Sequence, residues 1–145
     1  MSLDSSRTIN GSYGECLHEG QWLTNIYKME ATIEFDKSDI KKSGSRWTGK
    51  KVVGVSGSGT ISGYKITSAL IEAASSICDD KKGEYRTELI SKLDDPEAWG
   101  AERIRLKDVS FDSIPLVGWE AGSVVEEEWP FTFEGFELLD QIEAG

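Results

Sequence analysis

Alternation of apolar and polar residues constrains this chain more than any other feature of its sequence. From Tyr27 to Asp36 the odd positions are apolar and the even positions are polar. Because successive side chains of a strand point to opposite sides of a sheet, this segment is predicted to be a strand with one buried face. Shorter stretches over 13–17, 85–93 and 102–111 predict further strands. The chain is therefore expected to be mostly strand.

A hairpin is predicted at the amino-terminal end. The sequence His18-Glu19-Gly20 is typical of a turn, and it follows the short strand 13–17. The long strand that includes Tyr27 is expected to begin at about Gln21, directly after this turn. The two strands are therefore expected to lie side by side.

The sequence also predicts where the strands bend. The apolar phase shifts between Leu106 and Val109, and again between Phe133 and Phe136, which indicates a bulge at each place. Such bulges curve a sheet in the way that barrels require. A second long extended region over 52–66 holds four glycines, which indicate bending or close backbone packing.

One helix and one domain complete the predicted architecture. An apolar stripe with helical spacing runs from Leu70 to Ile77, after a Thr67-Ser68 pair that can cap a helix. The 145 residues fit a single domain over 1–145. No run of about 18 apolar residues is present, so we expect no membrane span.

Charge and cysteine content exclude several classes of protein. The net charge of −10 argues against a general duplex-DNA binder, since phosphate contacts need a positive surface. Residues 1–7 lack the apolar core of a secretory signal, so we expect synthesis in a reducing cytoplasm. In that compartment Cys16 and Cys78 are expected to stay unpaired.

A basic segment over residues 37–51 is predicted to be an extended, flexible loop. It contains one acidic residue, Asp39, and a Ser-Gly-Ser sequence near its middle. Its cations are Lys37, Lys41, Lys42, Arg46, Lys50 and Lys51. Long irregular loops in compact domains are usually functional. Trp47 lies within the segment, and aromatic residues among basic ones are typical of protein interfaces, so we expect a contact site here.

The carboxyl-terminal third is acidic, with no Lys or Arg after Lys107. Glu126, Glu127 and Glu128 are expected to form an acidic surface complementary to the basic loop. If the two surfaces lie at opposite ends of the fold, copies can stack head to tail, and such contacts generate rings or filaments. The alternative is that both surfaces are merely solvated.

Catalytic chemistry finds little support in the sequence, and no metal or cofactor site is predicted. The only histidine, His18, lies in an expected turn and is interpreted as a surface residue; with Cys16 it supplies only two of the four ligands of a structural zinc site. Pairs of adjacent carboxylates in the sequence leave a glycosidase as an alternative function. A monomeric carbohydrate- or ligand-binding β module would instead expose a row of Trp22, Trp99 or Trp119.

Several segments in order resemble the tail tube proteins of PBSX-like prophages and related contractile bacteriocins of the diffocin type. They are Asn10 to Glu15, Gly49 to Thr60, Tyr64 to Ser68, Gly100 to Ile104, Phe111-Asp112 and Pro130 to Glu134. The resemblance implies a small β-barrel or sandwich of antiparallel strands with one flanking helix, similar to the haemolysin-coregulated protein of type VI secretion. It also implies a structural protein and not an enzyme.

The same resemblance implies six-membered rings that stack into the inner tube of a contractile tail. The expected partners are further copies of the chain and the sheath, baseplate, tape-measure and tail-terminator proteins, with DNA or ions only in transit through the lumen. On this reading the strands 27–36 and 52–66 pair laterally with neighbouring subunits. Small residues on one face of the second strand line the channel or pack subunits; they are Ser56, Ser58, Thr60 and Ser62. The tip of the basic loop reaches the adjacent ring.

Overall fold

The computed structural model describes residues 3–81 and 83–144, which contain eight strands and one α-helix. The strands are β1 (Gly14–His18), β2 (Gln21–Trp22), β3 (Ile26–Lys41), β4 (Thr48–Tyr64), β5 (Thr87–Leu93), β6 (Glu102–Phe111), β7 (Glu126–Phe133) and β8 (Gly135–Asp140). The helix α1 spans Ala69–Ala74 and continues as a 3-10 turn over Ser75–Cys78. The prediction of a mainly β fold with one flanking helix is confirmed.

The strands form one antiparallel sheet that folds back on itself. Their order is β2-β1-β5-β6-β7-β4-β3, and β8 lies beside β6. The strand β6 belongs to both halves, because its residues 103–107 pair with β8 whereas Ser110 and Phe111 pair with β7. The sheet therefore turns over along β6, and its two halves enclose the core.

Both predicted bulges lie at this fold line. Asp108 adopts a left-handed backbone conformation with φ of 52°, and the pairing of β5 with β6 shifts register beside it. Glu134 separates β7 from β8, and its amide donates to the carbonyl of Lys107 at 3.1 Å. The phase shifts in the sequence therefore mark the places where one strand passes from one half of the sheet to the other.

The amino-terminal hairpin is confirmed, although its second strand is short. Glu19 and Gly20 both have positive φ, 50° and 83°, as a two-residue hairpin turn requires. The returning strand β2 holds only two residues, and the long strand β3 begins separately at Ile26. The prediction of one continuous strand from about residue 21 is therefore wrong.

The core consists mainly of side chains from the middle of the sheet. Trp129 and Phe131 of β7 are fully buried against Ile61 of β4 and Leu89 of β5. The Phe111 ring meets that of Trp129 edge to face at 5.0 Å. Ala74 of α1 is fully buried as well, so the helix packs on this core. Among the described residues, no helix is long and apolar enough to cross a membrane.

Candidate assembly surfaces

The segment predicted as a basic loop is mostly a β-hairpin. β3 and β4 stay paired as far as Lys41 opposite Thr48, so that only residues 42–47 form the connection. The prediction of an irregular loop over 37–51 is therefore wrong on either side of that connection. The ends of these two strands carry polar residues on both sides, so an alternating pattern cannot reveal them. They form because residues 37–41 pair with residues 48–52 across the hairpin.

Beyond β7 this hairpin stands alone as an arm. The last pairing of β4 with β7 joins Gly57 to Phe133, and in the described chain residues 34–56 pair only with each other. We call residues 34–56 the arm. At about 3.3 Å per residue, its β4 segment extends about 30 Å past β7.

The arm carries positive charge that the described residues leave largely unpaired. Its cations are Lys37, Lys41, Lys42, Arg46, Lys50 and Lys51. Of these, only Lys50 has an ion-pair partner among the described residues, the carboxylate of Asp39 on the opposite strand. Trp47 at the tip is 83% exposed, and its backbone amide donates to Ser45 Oγ at 3.1 Å. The hairpin therefore presents an exposed aromatic ring among mostly unneutralised cations.

The expected acidic surface at Glu126–Glu128 is divided between the two sides of β7. Glu126 and Glu128 are exposed, and Tyr27 donates a long hydrogen bond of 3.4 Å to Glu126. Glu127 is buried at 8% exposure, and its Oε2 has no donor among the described residues. The prediction was wrong for Glu127, because alternation along β7 places it on the inward side with Trp129.

The two exposed carboxylates share one face with the small residues of β4. Directly paired residues of antiparallel strands point to the same side of a sheet, and Ser62 is paired with both Lys28 and Glu128. This polar face comprises Ser56, Ser58, Thr60 and Ser62, then Lys28, Glu30, Thr32, Glu34 and Asp36 of β3, and Glu126, Glu128, Pro130 and Thr132 of β7. It holds five carboxylates and one cation, so it is acidic. Its serine and threonine side chains also make it rich in hydroxyls.

Sequence reasoning did not assign the β3 carboxylates to any surface. Glu30, Glu34 and Asp36 occupy the even positions of the alternating segment, so a signal for their common face was present. What the sequence lacks is the register, which aligns them with β4 and through it with β7. The serine positions and the acidic residues, predicted as separate surfaces, are therefore a single one.

The expectation that β4 pairs with a neighbouring subunit is wrong over residues 57–64. Along this segment β4 has β7 on one side and β3 on the other, so both of its edges are used within the chain. Among the described residues, the outer edge of β3 has no strand beside it. An unpaired edge of this kind is a template for strand addition.

The arm tip and the exposed carboxylates lie at opposite ends of one strand. Thr48 begins β4 next to the tip, and Tyr64 ends it opposite Glu126. Seventeen residues of strand at about 3.3 Å each separate the two ends by about 50 Å. The basic tip and these two exposed carboxylates therefore lie at opposite ends of β4.

His18 belongs to a hydrogen-bonded cluster and is partly buried, unlike the surface residue that the sequence suggested. Its Nε2 lies 3.0 Å from the Tyr85 hydroxyl and 3.1 Å from Thr87 Oγ1. Both hydroxyls also donate to Glu19 Oε1, at 3.3 and 3.1 Å. Burial lowers the pKa of the His18 imidazole, and the Glu19 carboxylate opposes this shift.

We expect His18 to make the fold sensitive to mild acid. Its pKa in the folded chain lies below the unfolded value of about 6.5, so the unfolded chain takes up the proton first as the pH falls. The contribution of neutral His18 to the free energy of unfolding is therefore fully present above a pH of about 6.5, the pKa in the unfolded chain. It is lost as the pH falls through the lower pKa of the folded chain. Urea unfolding at pH 7.5 and 5.5 should show a larger loss of unfolding free energy in the wild type than in His18→Gln. Equal losses in the two proteins would contradict this role.

The features expected of the alternative functions are only partly present. Trp22, Trp99 and Trp119 are 55%, 44% and 77% exposed, as a sugar-binding module would need. They lie on β2 and in two different loops, and no two of these rings are in aromatic contact within the described chain. A cleft of about 790 Å³ between β1, β2 and β3 includes only the first of them.

The cysteines are unpaired, as the sequence predicts. Cys78 is exposed and Cys16 is buried in the core at 2% exposure. Burial raises the pKa of the Cys16 thiol to about 12, so this sulfur stays protonated and is a poor metal ligand. Within the described residues, no three His, Cys, Asp or Glu side chains are grouped in a way that could hold a metal ion.

Comparison with known proteins agrees with this architecture. The XkdM protein of the phage-like element PBSX from Bacillus subtilis is 35% identical over 144 residues, which cover 98% of this chain and 97% of that protein. The tube of an extracellular contractile injection system, solved as the PVC sheath-tube complex in its extended state, has the same fold. It superposes with a TM-score of 0.74 at 11% identity, over 98% of this chain and 100% of that one.

A third similar structure comes from a gene transfer agent. A chain from the tail of the empty particle, refined with C6 symmetry, matches with a TM-score of 0.53 at 14% identity, over 94% of this chain and all of that one. The sequence family described as phage tail tube protein matches residues 1–140. With its mainly β sheet, its projecting arm and a relative in PBSX, the chain belongs to the phage tail tube protein family.

Proposed function

We propose that this chain is the subunit of the inner tube of a contractile phage tail or phage-like particle. Six copies form a ring, and rings stack head to tail into a hollow conduit. The observation that carries the proposal is the placement of the charges: an arm whose cations are mostly unpaired among the described residues lies at one end of β4, and exposed carboxylates lie about 50 Å away at the other end. Family membership and the C6 symmetry of the gene transfer agent tail support it.

The polar face of β3, β4 and β7 lines the lumen in this arrangement. Away from the contact between rings, the face carries hydroxyls and the carboxylates of Glu30, Glu34 and Asp36 against a single cation, Lys28, which itself pairs with Glu30 at 3.0 Å. A negative wall repels the phosphates of DNA, so a duplex passes without being held. As far as Ile33 on β3 and Gly57 on β4, the opposite side of these strands packs on the core, which leaves the polar side free to face the channel.

The arm supplies the contact between rings. Its tip carries Lys41, Lys42, Arg46 and Trp47, with Lys50 and Lys51 behind them. The tip meets Glu126 and Glu128 at the far end of a subunit in the next ring, so complementary charge fixes orientation while the Trp47 ring supplies buried apolar area. The contact joins two different surfaces of the subunit, and repetition therefore builds an open filament.

The remaining partners follow from the place of a tube in a tail. A sheath surrounds it, a baseplate and a terminator bind its two ends, and a tape-measure protein fills it during assembly. The similarity to a sheath-tube complex supports the first of these contacts. The chain is made in the host cytoplasm and ends in the tail of the particle. It turns over no substrate and has no cofactor.

Reversing one charge on the arm tests this function. We expect Arg46→Glu to keep the fold and to lose tubes, because it removes an attraction and adds a repulsion at every ring contact. Negative-stain microscopy at rising protein concentration, with circular dichroism for folding, measures both. The concentration needed for tubes should rise about tenfold or more, since each 1.4 kcal/mol changes an association constant tenfold.

The matched control reverses a cation away from the arm. Lys81 is exposed and has no ion-pair partner among the described residues, so Lys81→Glu changes the net charge by the same amount. It should form tubes like the wild type. Tubes of wild-type length from Arg46→Glu, or equal loss from Lys81→Glu, would refute the contact assigned to the arm. A wild-type chain that forms neither rings nor tubes would refute the function itself.

A further inference from the structure

The sheet splits into two branches just beyond Phe133. Up to this point β7 pairs with β4, and Phe133 is opposite Gly57. After the bend at Glu134, β8 pairs with β6 only, while β4 continues with β3 as the arm. The arm and β8 therefore diverge from a common origin, and we call the space between their inward sides the β8–arm cleft.

Both walls present apolar residues on the side that faces the core. On the arm, Phe35 pairs with Val55, two residues before Gly57, where a Cβ atom would overlap the Phe133 ring. Phe35 and Val55 therefore continue the inward side of their strands. On β8, Phe136 pairs with Leu106, which is buried at 4% exposure, so this wall also shows its inward side.

These inward-facing residues are nevertheless uncovered. The exposed fractions are 60% for Phe35, 64% for Val55, 53% for Phe136 and 42% for Leu138. None of the four belongs to the buried core cluster or to the partly buried side chains packed on it. Summed over the two walls, these four side chains leave about 400 Å² of surface in water. The core is thus incomplete where the sheet branches.

We propose that this β8–arm cleft, lined by Phe35, Val55, Phe136 and Leu138, is the lateral docking site for a second copy of the chain. The exposed apolar area is about half of what one partner contributes to a standard interface. The arm, which forms one wall, is the element already assigned to contacts between copies, so the cleft is continuous with that surface. The inference rests on the proposed function and adds a residue-level lateral contact to it.

The charges around β8 also favour an apolar partner surface. On its outer side Glu137 lies 3.4 Å from Arg105 and 3.6 Å from Lys107, and Asp140 lies 2.7 Å from Arg103. These pairs neutralise each other within the chain. What β8 offers a neighbour is therefore its inward apolar side and its outer edge, which has no strand beside it among the described residues.

Charge insertion in the cleft tests the proposal with matched controls. Val55→Glu and Leu138→Glu place a carboxylate on either wall, whereas Val117→Glu and Leu116→Glu make the same changes at positions that are 79% and 66% exposed in the 112–125 loop. We expect both cleft variants to need about 30-fold or more protein to associate, the effect of losing an interface hot spot. Sedimentation velocity over a concentration series measures association, and circular dichroism verifies the fold.

Each outcome decides the question. Loss of association in the two cleft variants, with the controls unchanged, supports the docking site. Association of the cleft variants at wild-type concentrations overturns it while the proposed function stands. Equal loss in controls and cleft variants also overturns it, because the effect is then not specific to the cleft. A wild-type chain that never associates overturns the docking site together with the proposed function.

Discussion

Replacing Gly59 by alanine should destabilise the fold severely. A Cβ atom at this position would overlap the backbone oxygen of Glu30 and would lie 2.7 Å from the Phe131 ring. The first contact is with backbone of the neighbouring strand, which cannot rotate away, and the second is with a fully buried side chain. Relief requires β3 and β4 to separate, which breaks ladder hydrogen bonds at the centre of the sheet.

The expected loss is a large fraction of the whole stability of the domain. Overpacking in a core costs about 1–3 kcal/mol and more where backbone must move, and small domains have only about 5–15 kcal/mol in total. Gly118→Ala is the control, because no atom lies within 4 Å of the place its methyl group would take and the residue needs no positive φ. Urea unfolding followed by circular dichroism should show a collapse of the midpoint for Gly59→Ala only. A folded Gly59→Ala protein of near wild-type stability would refute the close packing of β3 on β4.

The sequence predicts local features well because alternation and phase shifts are local signals. The strand predicted over 102–111 has the bounds of β6, and the bulges at Lys107-Asp108 and Glu134-Gly135 lie where the phase changes. The short helix lies where its apolar stripe indicates. Its start differs in detail, because the Ser68 side chain makes no capping hydrogen bond and the backbone amide of Ala69 donates instead to Thr67 Oγ1 at 3.4 Å.

The features that the sequence did not predict all depend on which strands lie side by side. The outer ends of the arm strands, residues 37–41 and 48–52, have no alternation and exist because they meet across the hairpin. The polar face combines three strands whose common register no local pattern reveals. Glu127 is a different case, because the odd positions of Trp129, Phe131 and Phe133 already placed it inward; the run of three carboxylates suggested a surface and outweighed that signal.

Trp129 is expected to be the side chain on which the core depends most. It is fully buried, pairs with Ile61 on β4 and packs edge to face on Phe111 at 5.0 Å. Trp129→Ala removes the largest fully buried side chain and should lower the unfolding free energy by about 3–5 kcal/mol. Equilibrium unfolding in urea gives this difference directly if the slope of the transition is unchanged.

Trp129→Phe distinguishes the contribution of ring packing to stability from that of the buried indole nitrogen. The indole Nε1 is buried and has no acceptor among the described residues, a situation that costs about 1–3 kcal/mol in a folded protein. Phenylalanine keeps most of the packing and removes this donor, so Trp129→Phe should lose less than half of what Trp129→Ala loses. Equal losses in the two variants would show that the indole nitrogen contributes to stability after all.

The same pair of variants distinguishes defects of folding from defects of assembly. Trp129 points inward from the strand whose outward side carries Glu128, so its loss changes no residue of the polar face or the arm. Tube formation by Trp129→Ala should therefore fall only in proportion to the folded fraction that circular dichroism reports. At matched concentrations of folded protein it should equal the wild type, whereas Arg46→Glu should fail even when fully folded. Failure of folded Trp129→Ala to form tubes would mean that the core shapes the assembly surfaces themselves.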